Sequence, residues 1–281
     1  MYSEKSAHRV VVPVCIVNSL PKSGTHLLQK VVASLRGMTL AGIDLKPDDG
    51  APDFDESAGA SGSAIPIGVG RPRSMPRERV HGLLESLVPG SIIKGHIPYS
   101  SAMASVLEGL PVRMISITRD PRDVAVSQAK FVATTPGIAL HDYYRSLSED
   151  ERIMTAITGV SGSAAAPPLR NLRERLESVL RWRAHPQHLA TTFERLVGPR
   201  GGGGRSLQLQ EIDAIARHLG IACDAAEIER IADRAFGGTE TFQTGAIGTW
   251  RGHFTPAHVR ACKVLLGTLL IEQGYERSLD W

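Results

Sequence analysis

The chain has 281 residues, 42% of them hydrophobic, with 32 basic residues against 29 acidic ones and a net charge of +3. That balance is too slight to mark a nucleic-acid binder, and the length suits one α/β domain with a substantial core. Three widely spaced cysteines, Cys15, Cys223 and Cys262, form no metal-ligand pattern and read as free thiols of a reducing compartment.

In chain order, Val10 to Val17 is an apolar, β-branched run with the composition of a buried parallel strand. Neither it nor any other stretch is long enough to span a bilayer, and Pro13 within it argues against a secretion signal. From Gly24 the period changes, with Leu27, Leu28, Val31, Val32 and Leu35 on one helical face. Lys22-Ser23-Gly24-Thr25-His26 therefore lies at a helix N-terminus, where backbone N–H groups and the helix dipole favour an anion. Lys22 adds a full charge, and Gly24 lets the backbone come close. The order is not that of the ATPase loop, because the lysine precedes the single glycine.

Residues 46–79 are rich in chain breakers and predict a long irregular insertion, either a lid bordering an acceptor pocket or a surface loop without function. Ser91 to Pro98 then reads as a strand ending in Lys94 and His96. An imidazole, with a reference pKa of ~6.5, can take a proton near neutral pH as a general base must. Met114 to Ser127 is a strand, a turn with Arg119 and Arg122, and a helix that carries Ser127 about two turns on. An arginine and a hydroxyl at the carboxyl edge of an α/β sheet suit a phosphate monoester; the plainer reading is a salt-bridged turn with Arg122 and Asp123 in solvent.

Within residues 133–168, Tyr143 and Tyr144 precede the capping box Ser148-Glu-Asp-Glu151, and either face an acceptor or pack in the core. His188 to Phe193 is strand-like, and Gly201 to Gly204 reads as a flexible surface connection before a helix from about Leu209. Gly245 and Gly248 sit in a loop that can turn backbone amides onto a phosphate.

Four of these segments resemble, in order, the motifs of sulfotransferases of the soluble, cytosolic type that use 3′-phosphoadenosine-5′-phosphosulfate. Pro21 to Thr25 is similar to the family's 5′-phosphosulfate loop, and Lys94-Gly95-His96-Ile97-Pro98 to its Lys-x-His-x-Pro strand end. Arg119 and Ser127 keep the eight-residue spacing of its 3′-phosphate site. Thr244 to Thr255 resembles the Arg-Lys-Gly-x-x-Gly-Asp-Trp-Lys-Asn-x-Phe-Thr segment that closes over the nucleotide.

The resemblance covers nearly the whole chain and implies an α/β fold: a P-loop-like central parallel β-sheet flanked by helices in a single domain, 1–281. It implies 3′-phosphoadenosine-5′-phosphosulfate as co-substrate, adenosine 3′,5′-bisphosphate as product, and no metal. Lys22, Ser23, Gly24, Thr25, His26, Leu27, Arg119, Ser127, Phe193, Gly245, Trp250 and Arg251 would hold the nucleotide. His96 would be the base, with Lys22 and Lys94 on the sulfuryl and leaving oxygens.

The departures from the family pattern concern the nucleotide. Gln243 and Thr244 replace Arg-Lys, Thr249 replaces Asp, Gly252 replaces Asn, and Arg251 in place of Lys is the candidate to restore the lost charge. Leu27 stands where a tryptophan often meets adenine, and Phe193 replaces a tyrosine. The acceptor would be a hydroxyl on a small molecule, glycan, lipid or carrier, and the location cytoplasmic. Lys263, Thr268 and Glu272 partly resemble the family's dimer segment, which leaves a homodimer open. Two rival readings are a phosphoryl-transfer kinase and a non-catalytic nucleotide-binding relative.

Overall fold

The computed structural model describes residues 12–48, 50–164, 166–237 and 245–281. The first half runs β1 (Val14–Ser19), α1 (Thr25–Ala33), β2 (Thr39–Leu45), α2 (Glu56–Ala60), β3 (Ala64–Ile67), β4 (Arg73–Pro76), α3 (Arg77–Ser86), β5 (Ser91–Gly95), α4 (Ser101–Glu108), β6 (Val112–Thr118) and α5 (Pro121–Thr134). It continues with α6 (His141–Ser146), α7 (Glu149–Thr158), α8 (Leu172–Leu180), β7 (His188–Thr192), α9 (Phe193–Leu196), α10 (Arg205–His218), α11 (Ala225–Ala235) and α12 (Pro256–Glu272).

Five strands form one sheet in the order β2-β5-β1-β6-β7, and each neighbouring pair is parallel. The buried run at β1 serves both faces, as its alternation requires. Cys15 and Val17 pack on one side with α1, α10 and α11; Val14 and Ile16 pack on the other with α3, α4 and Trp182. A third cluster joins α5, α7, α8 and α12. Because β1 lies between β5 and β6, the chain leaving all three strands emerges at one carboxyl edge, where ligands bind in open α/β sheets.

Two expectations are corrected, and one left open is decided. Residues 46–79 are not an irregular insertion. They contain α2 and an antiparallel β3-β4 hairpin whose Ile65, Ile67 and Met75 are buried in the core. The alternation was hidden because the hairpin is short and interrupted by Pro66 and the glycines of its turn. The tetraglycine is no loose connection either: Gly201 is buried, and its carbonyl accepts from Ile247 N at 3.0 Å. A Cβ on Gly201 would come within 2.6 Å of Gly245 O, and one on Gly203 within 2.8 Å of Glu194 O, so close backbone contact explains the glycines there. Finally, Tyr144 is buried in a cluster with Val132, Leu140 and Ala166, and Tyr143 packs against that cluster.

Helix α7 begins with the expected capping box of Ser148 and Glu151. Lys263 on α12 lies over Trp281 of its own chain, 5.3 Å from the ring centroid.

Candidate active site

The loops after β1, β5 and β6 meet around a cavity of about 560 Å³. Lys22, Gly24, Thr25, His26 and Leu27 line it from the first loop, His96 from the second, and Arg119 and Ser127 from the third. Phe193 and Gly245 complete the predicted set that reaches the cavity. Ser23 is fully buried behind the loop, and Lys94, Trp250 and Arg251 do not line the cavity. Gln243 and Thr244 lie outside the described residues.

The first loop turns tightly. Ser23 N donates to Leu20 O at 3.1 Å, and Lys22 adopts a left-handed φ of 71°, a conformation most L-residues avoid. Gly24, at φ 101°, caps α1 without any side-chain cap, so the helix presents its first amides unprotected by its own sequence. A Cβ on Gly24 would lie 2.8 Å from the Phe193 ring and 3.2 Å from Ile117. The glycine thus admits the aromatic wall as well as the turn. Lys22 Nζ sits 3.8 Å from the Phe131 ring centroid, and burial, with Arg119 adding to it, pushes its pKa down to about 8.

His96 is placed by a residue that sequence reasoning passed over. Asn18, buried at the end of β1, accepts from Ile97 N at 2.8 Å and donates to Ile97 O at 3.0 Å. This two-way clasp holds the chain beyond β5 against β1. His96 Nδ1 then lies 2.9 Å from Ser19 O; a carbonyl only accepts, so Nδ1 carries the hydrogen and Nε2 is the basic nitrogen. Ser19 Oγ lies 3.2 Å from the same Nδ1 and 2.6 Å from Thr25 Oγ1, linking the imidazole to the first turn of α1. Burial is the main cause that lowers the His96 pKa, keeping the ring neutral. A polar residue inside an otherwise apolar strand was the available signal for Asn18.

Lys94 follows a different course from the one its position suggested. Its Nζ is 3.4 Å from Asp44 on the neighbouring strand β2. It remains close enough to lower the His96 pKa through its charge, while Asp44 opposes it.

The third loop splits its two arginines. Arg122 is buried, paired with Asp120 at 2.8 Å and with Glu276, and it lies 4.1 Å from the Trp250 and 4.4 Å from the Trp281 ring centroids. This is a structural stack, and it explains why Trp250 is unavailable to the cavity. Arg119 turns the other way. Its Nη2 donates to Ala246 O at 2.7 Å, its guanidinium lies 4.4 Å from the Phe193 ring centroid, and Asp123 is 3.4 Å away. Buried Asp123 accepts from Gly248 N, Thr249 Oγ1 and Trp250 N at 2.8, 2.8 and 2.9 Å, fastening the C-terminal segment to the start of α5. Arg251 stacks on Trp250, 4.5 Å from the centroid, and does not line the cavity.

Ser23 Oγ and Arg119 Nε, in the loops that meet at the cavity, are among the buried polar atoms that find no partner among the described residues. Native proteins rarely leave such atoms bare, and an oxyanion would satisfy the second from inside the cavity. Val126, Ala129 and Ile153 supply an apolar wall on the α5–α7 side, and Leu27, Val197 and Phe236 another on the α1 side. Glu149 and Arg152 of α7 and His253 also line the cavity, with His253 Nδ1 2.9 Å from Glu149.

The comparisons agree with this fold. A family model described as "Sulfotransferase domain" matches residues 13–270. The fold is similar to that of mouse sulfotransferase SULT7A1 complexed with PAP, at a TM-score of 0.62 and 16% identity over 95% of this chain and 88% of the other. It is also similar to retinol dehydratase, solved with PAP and androsterone, at a TM-score of 0.54 and 18% identity over 92% of this chain and 80% of the other. A second retinol dehydratase structure, with retinol and PAP, aligns at a TM-score of 0.54 and 18% identity over 92% and 81% of the two chains. No curated protein sequence matches the chain.

Proposed function

The chain belongs to the sulfotransferase family, and we propose that it moves a sulfuryl group from 3′-phosphoadenosine-5′-phosphosulfate to a hydroxyl acceptor. The observation that carries the reading is one cavity that joins a basic helix N-terminus to a histidine whose Nδ1 is tied to a backbone carbonyl.

The 5′-phosphate rests on the amides of the Lys22–Thr25 loop, as an anion does at a helix N-terminus. The base lies between Phe193 and the apolar wall of Leu27, Val197 and Phe236, which replaces the stacking a tryptophan would give. The acceptor oxygen attacks sulfur as the bond from sulfur to the 5′-phosphate oxygen breaks, and the acceptor proton passes to His96 Nε2. Lys22 leaves the Phe131 ring to neutralise the departing oxygen. Once in place, such a donor is worth ~2.7 to 4 kcal/mol. Lys94 acts through its field on His96, since its ammonium pairs with Asp44.

The carboxylates after Arg119 do not suit a magnesium-dependent kinase. Asp120 is paired with Arg122, and Asp123 is occupied by three protein donors. No helix among the described residues is long and apolar enough to cross a membrane, and we read the protein as a cytoplasmic enzyme. Retinol and androsterone in the retinol dehydratase structures favour a small, largely apolar alcohol against the Val126, Ala129 and Ile153 wall. The test is transfer of labelled sulfate from the donor to a panel of alcohols, phenols, sugars and carrier-bound hydroxyls. Labelled product from any of them supports the reading; tight donor binding with no transfer to any of them contradicts it.

A further inference from the structure

Four cations line the cavity, Lys22, Arg119, Lys130 and Arg152, and the charged groups of three have contacts within the protein. Lys22 lies on the Phe131 ring. Arg119 is shared between Asp123 and Ala246 O. Arg152 donates to Tyr144 O and Arg145 O, at 2.7 and 3.3 Å. Lys130 is exposed, and while its carbonyl accepts from Thr134 Oγ1, its ammonium has no hydrogen bond, ion pair or ring contact among the described residues.

Its place on α5 matters. Ser127 and Lys130 are three residues apart in one helix and both line the cavity, so they share a face with Cβ atoms about 5–6 Å apart. A phosphate monoester beside Arg119 and Ser127 carries close to two negative charges at neutral pH. Arg119 answers less than one of them, because buried Asp123 sits 3.4 Å from its guanidinium. Arg251, the other cation near this end of the cavity, stacks on Trp250 and does not line it. The charge count at this end closes only if another cation turns in.

We propose that Lys130 is that cation: with Arg119 and Ser127 it binds the 3′-phosphate of the nucleotide and sets the preference for a 3′-phosphorylated donor. The proposal rests on the sulfotransferase reading above. It assigns to a lysine of α5 the charge absent at Gln243 and Thr244.

Calorimetric titration with adenosine 3′,5′-bisphosphate and with adenosine 5′-monophosphate separates the two ideas. Wild-type protein should prefer the bisphosphate. Lys130→Ala should weaken bisphosphate binding about ten- to a hundredfold, the worth of one hydrogen bond to a charged group, and leave monophosphate binding unchanged. Lys130→Arg should restore most of the preference, and because the side chain is exposed, all three proteins should melt alike. If Lys130→Ala leaves the preference intact, or weakens both ligands equally, this assignment is wrong while the donor reading stands. If it changes only the acceptor KM, Lys130 belongs to the acceptor side and the proposal fails. A wild-type protein with no preference for the bisphosphate overturns the donor reading and this proposal together.

Discussion

The two halves of the cavity wall are built in different ways. On the strand side, Lys22, Gly24 and His96 sit within a few residues of β1 and β5, and backbone contacts from Leu20, Ser19 and Ile97 fix them. On the C-terminal side, residues 245–250 belong to no strand among the described residues. They are fastened by the carboxylate of Asp123, the guanidinium of Arg119 and the carbonyl of Gly201. The strand side places chemistry with main-chain precision; on the C-terminal side Asp123 is used up in holding the segment, and Arg119 divides its donors between Ala246 O and the cavity. That is why a motif retained at Gly245, Gly248 and Trp250 contributes a wall and few charges.

Breaking the strand side at its reactive atom should have the largest effect. His96→Ala is expected to lower kcat by 10² to 10⁴-fold with any acceptor found, with bisphosphate affinity nearly unchanged; retained turnover would remove His96 from the mechanism. Breaking the C-terminal side should act through stability. Asp123→Ala strips three donors of their acceptor and leaves Arg119 without its counter-charge, at about 3 to 5 kcal/mol in a denaturant melt. A loss of less than ~1 kcal/mol would mean that other contacts hold the segment.

Gly24→Ala tests the loop at smaller cost. The left-handed φ of 101° costs about 1–2 kcal/mol for an L-residue, and the new Cβ displaces the Phe193 ring. Nucleotide affinity should fall more than thermal stability does. Lys22 gives the mildest test, in pH dependence. With its pKa pushed down to about 8, the free protein loses this charge as pH rises through that value. Bisphosphate affinity should then be highest below pH ~8 and decline above it, by up to tenfold per unit, while Lys22→Arg should flatten the profile. A profile that rises with pH has the wrong sign for a lysine ligand.

Most of the strand side was legible in the sequence because phosphate loops and strand-end bases are local: the residues that do the work are neighbours in the chain. The apolar run at β1, the change to helical period at Gly24, and the capping box at Ser148 each signal their own structure. What escaped is long-range. Asn18 meets Ile97 across two strands, and Asp123 meets Thr249 across more than a hundred residues. Nothing near Arg122 shows that it will be buried between Trp250 and Trp281 while Arg119 faces the cavity. Likewise Lys94 shares a motif with His96, but the partner that diverts it, Asp44, comes from another strand.

A crystal structure with adenosine 3′,5′-bisphosphate tests the central claim most directly, because it needs no acceptor. The account predicts the 5′-phosphate on the Gly24 and Thr25 amides, Lys22 drawn off the Phe131 ring toward it, and the His96 Nε2 edge open to the space beyond that phosphate. A nucleotide bound with its 5′-phosphate away from this loop, or a His96 side chain screened from it, would contradict the account.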